Sequence, residues 1–154
     1  MNILEAFDLT DDLQKRIENL RRRYVNSVVV KRGEKPIEDP QSLLVELEDS
    51  YTQLNDINCR IKTAHATTRN YKGQTLLQLM GDKSIVEQRH DILTRAFDEC
   101  LYGDADVYNS YNRCQVDYDV TIDLGSLKKE IDSLEIQLRQ LTSEIRQLEI
   151  KTEI

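Results

Sequence analysis

The side chains best equipped for chemistry in this sequence are two histidines, three cysteines and a scatter of aspartates. His65 and His90 could each join Cys59, Cys100 or a nearby carboxylate at a metal ion. Zinc sites repeat their ligands at short fixed steps, and neither C-x-x-C nor a paired-histidine step is present. His90 therefore reads as part of a polar helix face and His65 as a polar residue near a helix end. Cys59, Cys100 and Cys114 are odd in number and widely spaced, which fits reduced packing residues. Asp104, Asp106, Asp117, Asp119 and Asp123 form an acidic cluster, and alternation puts Asp117, Asp119 and Asp123 on one face where oxygen ligands could meet a hard cation. The ligand order of an EF-hand is missing, so the expectation is a solvated strand face that discourages edge-to-edge pairing. Tyr102, Tyr108, Tyr111 and Tyr118 could stack a ligand, but tyrosine near a small sheet is more often the rim of a core, with its hydroxyl in water. There is no G-x-S-x-G, P-loop, dinucleotide fingerprint or HExxH. We expect a protein that is not an enzyme, with no cofactor and no metal.

The charge balance narrows the partners. A net charge of -7 argues against a general nucleic-acid binder, which needs a positive field to displace counterions. The run Lys15, Arg16, Arg21, Arg22, Arg23, Lys31 and Arg32 could bind phosphates locally, although helix pairing can use the same residues. The N-terminus has neither a basic n-region nor an apolar h-region, and no stretch reaches the roughly 18 apolar residues of a membrane span. The expected location is the cytoplasm, and membrane association is left open.

Any site must be positioned by helices. Charged residues make up 32% of the chain against about 25% in ordinary globular domains, with 5 Gly and 2 Pro, which suits long thin helices with much surface. The sequence reads as one domain, residues 1–154. Asn2 with Glu5 resembles a capping box that opens a helix over about 2–26. Asp39-Pro40 places a cap before a first-turn proline and starts a second helix over about 40–67. Asn70 to Gly73 reads as a turn. Gly81 separates a short helix at about 75–81 from another at 84–102, with a polar loop from 104 to 115. Val28 to Lys31 and the alternating Val116 to Ile122 read as two strands, 28–31 and 116–122, that pair because a lone strand is not stable in water. A last helix covers about 124–150, with Asp123 as its cap.

That last helix carries an unbroken heptad seam, Leu124, Leu127, Ile131, Leu134, Leu138, Leu141, Ile145 and Leu148. Its flanks hold Glu130, Glu135, Glu144 and Glu149, so a parallel self-pair would set carboxylates against carboxylates. The first helix presents Leu13, Ile17 and Leu20 flanked by Arg16, Arg21 and Arg23. These charges complement the last helix, and we expect the N- and C-terminal helices to pair.

Several segments together resemble the septicolysin-like family of small bacterial proteins. They are Asp12 to Ile17 with Leu20-Arg21, Gly33-Glu34 to Pro40, Ala66 to Arg69, Arg89-His90, Tyr108 to Arg113, Val120 to Asp123 and Lys151 to Ile154. The chain departs from that pattern at Lys62 to His65, where the family favours Asn, and at Glu149-Ile150, where it favours Asn-Trp. The resemblance implies a pore-forming or membrane-active toxin as an alternative function and carries over no catalytic residue. The residues themselves point to a mainly α fold: long antiparallel coiled-coil-like helices plus a small two-stranded β element. The function they favour is a structural or interaction protein that forms a homo-oligomer through leftover apolar helix faces.

Overall fold

The computed structural model describes the backbone of residues 1–110 and 119–154, and the side chains of 1–101 and 119–154. The fold is mainly helical, built from α1 (Ile3–Ser27), α2 (Pro40–Thr67), α3 (Leu76–Ser110) and α4 (Leu124–Lys151). The chain divides into two compact units, one of Met1–Leu76 with Gln147–Ile154 and one of Leu77–Arg146.

In the first unit, α1 begins at the capping box read from the sequence. The Glu5 amide donates to Asn2 Oδ1 and the Asn2 amide donates to Glu5 Oε2, each at 2.9 Å. Two of the orphan amides of the first turn are thereby satisfied. The helix buries Ile3, Ala6, Thr10, Leu13, Ile17 and Leu20, alternating steps of three and four. Asp39 caps α2 by accepting from the Ser42 amide at 3.0 Å, with Pro40 in the first turn. Ile17 and Leu20 pack with Leu43 and Leu47 in one core cluster, flanked by Tyr24 and Leu54. Contacts between α1 and α2 run in opposite directions, Arg23 to Glu38, Arg16 to Glu46 and Phe7 to His65, so the pair is antiparallel. The end of the chain returns to this unit. The Ile154 amide donates to the Met1 carbonyl at 2.8 Å, and Asn2 and Glu153 form an antiparallel bridge.

A tight turn closes α2. Asn70 Oδ1 accepts from the amides of Lys72 (3.0 Å) and Gln74 (2.9 Å), and Gly73 sits at φ +81°, where a Cβ would be strained.

In the second unit, α3 and α4 are also antiparallel, since Phe97 faces Lys128 while His90 faces Glu135. The cap foreseen at Asp123 is present, accepting from the Ser126 amide at 3.1 Å. The break foreseen at Gly81 is absent: α3 is one helix through Gly81, Ser84 and Gly103, and residues 104–110 are helical where a loop was expected. A glycine inside a helix costs only about 1 kcal/mol, which the continuing buried stripe of Leu79 and Val86 outweighs.

The expected two-stranded element is not formed by the described residues. Val28 to Lys31 leave α1 as exposed coil, ending in a turn that the Glu34 amide closes on the Lys31 carbonyl at 2.9 Å. Residues 119–122 are likewise coil, and 116–118 lie outside the described residues. β-branched side chains favour a strand only where one face is buried, and here the valines stand in water.

Candidate interaction surfaces

The residues first suspected of chemistry are dispersed. His65 is buried on the last turn of α2 with its ring 6.0 Å from that of Phe7, and its Nε2 has no hydrogen-bond partner among the described residues. Burial holds its pKa below the usual histidine value. His90, on α3, lies 3.4 Å from Glu135 of α4. Cys59 is exposed, Cys100 half-buried, and both are free. No group of three or more metal-binding side chains converges among the described residues. Asp123 is committed to its helix cap, and hydrogen bonds from Ser126 lower its pKa. Tyr102, Tyr108, Tyr111, Tyr118, Asp104, Asp106, Asp117 and Cys114 have side chains outside the described residues.

The residues of the heptad seam divide between the two units. Leu13, Ile17 and Leu20 are buried on α1, and the last two face α2. On α4, Leu127, Ile131, Leu134 and Ile145 are buried, while Leu138, Leu141 and Leu148 are half-buried. The ion pairs differ from the expected pairing of α1 with α4. Arg23 grips Glu38 with both its Nε and Nη2, which holds the carboxyl below its usual range. Arg16 reaches Glu46 of α2 at 3.9 Å, and Arg21 reaches Glu18 on its own helix at 3.5 Å. The acidic flank of α4 reaches side chains of α3, with Glu130 on Arg89 at 3.2 Å and Glu135 beside His90 at 3.4 Å, while Glu135 also meets Arg139 of its own helix at 3.7 Å. Acidic flanks complement any basic neighbour, so charge alone left two partners open. Order along the chain was the sequence signal that could have favoured α2, because consecutive elements are usually neighbours in space.

Two surfaces stand out, one in each unit. In the second unit, Leu77, Ile85 and Ile92 lie on the face of α3 opposite Leu79 and Val86 and are 57%, 58% and 60% exposed. Gly81 and Gln88 fill the turns between them, so the stripe is uncharged for about 22 Å of helix. It ends at Arg95, whose Nε lies 3.1 Å from Asp91. In the first unit, the tip of the α1–α2 hairpin exposes Val25, Val28, Val29, Val30 and Ile37 beside a concavity of about 420 Å³. A second groove of about 360 Å³ runs along α2 beside Thr152 to Ile154, but the hydroxyls of Thr63, Thr67 and Thr152 that line it are already bonded to helix carbonyls.

What these features define is an all-α protein of antiparallel helix pairs, in which no described helix is long and apolar enough to cross a membrane. The chain belongs to a family of unknown function (DUF6847), whose model matches residues 10–154. No curated protein matches it. It is similar to a functionally unknown conserved protein from Corynebacterium diphtheriae, known from a crystal structure, at a TM-score of 0.80 and 25% identity over 100% of this chain and 98% of that one. Neither match bears on the septicolysin-like resemblance.

Proposed function

We propose that this protein is a non-catalytic helical interaction module that self-associates, with the outer stripe of α3 as its contact surface. The observation that carries this reading is the stripe itself. Leu77, Ile85 and Ile92 repeat at near-heptad steps on a face that no described helix of their own unit covers. A symmetric, antiparallel contact between two copies of α3 would bury them in pairs and desolvate no charge before Arg95. The antiparallel pairing of α1 with α2 and of α3 with α4 supports the same reading, because the buried seam residues are used within the units and the outer stripe is left for a partner.

Sedimentation velocity over a range of concentrations tests it. The native chain should show a monomer–dimer equilibrium, and Ile85→Glu/Ile92→Glu should stay monomeric with unchanged helical circular dichroism. A native chain that remains monomeric at high concentration, or a variant that associates equally well, would remove α3 from consideration.

A further inference from the structure

The hairpin tip of the first unit has a chemistry the α3 stripe does not share. Its apolar residues are ringed by cations. Arg22, Lys31, Arg32 and Lys35 have no ion-pair partner among the described residues, and Glu34 and Asp39 are the anions near them outside any ion pair, while the charges of Arg21 and Arg23 are offset by Glu18 and Glu38. The tip thus carries a local charge of about +2 on a chain of net charge -7, and the rest of the chain is correspondingly more acidic. A second copy that approaches the tip with residues outside its own tip brings net opposite charge. Two tips meeting each other would repel.

An acidic segment of the right pattern exists elsewhere on the chain. Asp119, Val120, Thr121, Ile122 and Asp123 precede α4 as coil, with Val120 and Ile122 about half exposed between carboxylates. Val29, Val30 and Ile37 line the tip concavity beside Lys31 and Lys35. Val28 to Lys31 and residues 119–122 are each in coil, so their backbones lie outside any strand ladder.

We infer that the hairpin tip, Val28 to Lys31 with Ile37 and Lys35, is a docking surface for residues 119–123 of a second copy of this chain. Val120 and Ile122 enter the concavity, Asp119 meets the cations, and the two short segments supply each other's backbone partners. The contact is head-to-tail, so it links copies independently of α3 and does not rest on the α3 reading.

Directed disulfide formation between whole chains tests this inference. Cys59, Cys100 and Cys114 are replaced by Ser, and Ile85→Glu/Ile92→Glu is included so that an α3 contact cannot contribute. A tagged Val29→Cys chain is mixed with an untagged Val120→Cys chain under mild oxidation, with Thr142→Cys as the collision control. Circular dichroism confirms that each chain is folded. The mixed disulfide should exceed the control severalfold at low salt, fall as salt is added, and disappear with Lys31→Glu/Arg32→Glu. Yield equal to the control overturns the inference. So does a chain carrying both cysteines that closes its disulfide internally at high dilution, since the occupant is then not a second copy.

Discussion

Leu20→Ala is the sharpest test of how α1 is held. Leu20 is 2% exposed in the cluster with Ile17, Leu43 and Leu47. The substitution removes three buried carbons at roughly 0.8 kcal/mol each, about 2.4 kcal/mol in transfer energy. Helices on both sides of the site hold the space partly open, and the residual cavity brings the expected loss to about 3 kcal/mol. Alanine's helix propensity returns only a few tenths. For a chain of this size that loss corresponds to a fall of about 6–12 °C in Tm. Because the chain has two compact units, the measurement should be resolved by segment. Hydrogen exchange of the α1 and α2 amides under native conditions does this alongside urea unfolding. Val45→Ala, at a half-exposed site on α2, is the control and should stay within about 0.5 kcal/mol. A double-mutant cycle with Leu43→Ala should show a coupling of at least about 0.5 kcal/mol, since the two side chains share one cluster. A loss below about 1 kcal/mol, or strict additivity with Leu43→Ala, would refute the packing of α1 on α2.

Two further substitutions read other parts of the fold. Gly81→Ala should stabilise the second unit by about 0.5–1 kcal/mol in urea unfolding, because a Cβ there meets nothing within 4 Å and the residue is inside a helix; destabilisation would mean that the helix ends at Gly81 after all. Stability of the first unit should fall as pH drops below about 6.5. His65 is kept neutral by burial, so the unfolded chain takes up a proton first, and the stability present above the ordinary histidine pKa is lost as pH falls through the lower folded one. His65→Leu should flatten the urea-unfolding midpoint between pH 7.5 and 5, and an unchanged slope would assign the effect elsewhere.

The helix starts were legible because caps are local. Asn2 with Glu5, Asp39 with Pro40, and Asp123 each satisfy amides within three residues, so no distant contact was needed to read them. The burial pattern was legible for the same reason, since period alone puts Ile17 and Leu20 on one face. Partners were harder. Arg16 and Arg23 could complement Glu130 and Glu135 or Glu38 and Glu46, and only three-dimensional proximity selects the latter. The strand reading of Val28 to Val30 failed because side-chain type was weighed without knowing whether anything would cover the valines. Gly81 was read as a stop, although the buried stripe of Leu79 and Val86 continues past it and outweighs its modest backbone cost. The α3 surface could not be read at all before the buried face was known, because Leu77 and Ile85 look no different from core leucines and isoleucines in sequence.

The nested order of the two units ties their stabilities together. The chain leaves the first unit at Leu76 and re-enters it at Gln147, so residues 77–146 are a tether between the hairpin and the tail that bonds to Met1 and Asn2. While the second unit is folded, its antiparallel α3 and α4 bring the two ends of that tether back toward each other. Were it to unfold, closing a loop of that length would cost about 3–4 kcal/mol of chain entropy. Damage to α3 or α4 should therefore loosen the meeting of the chain's two ends without touching a residue there.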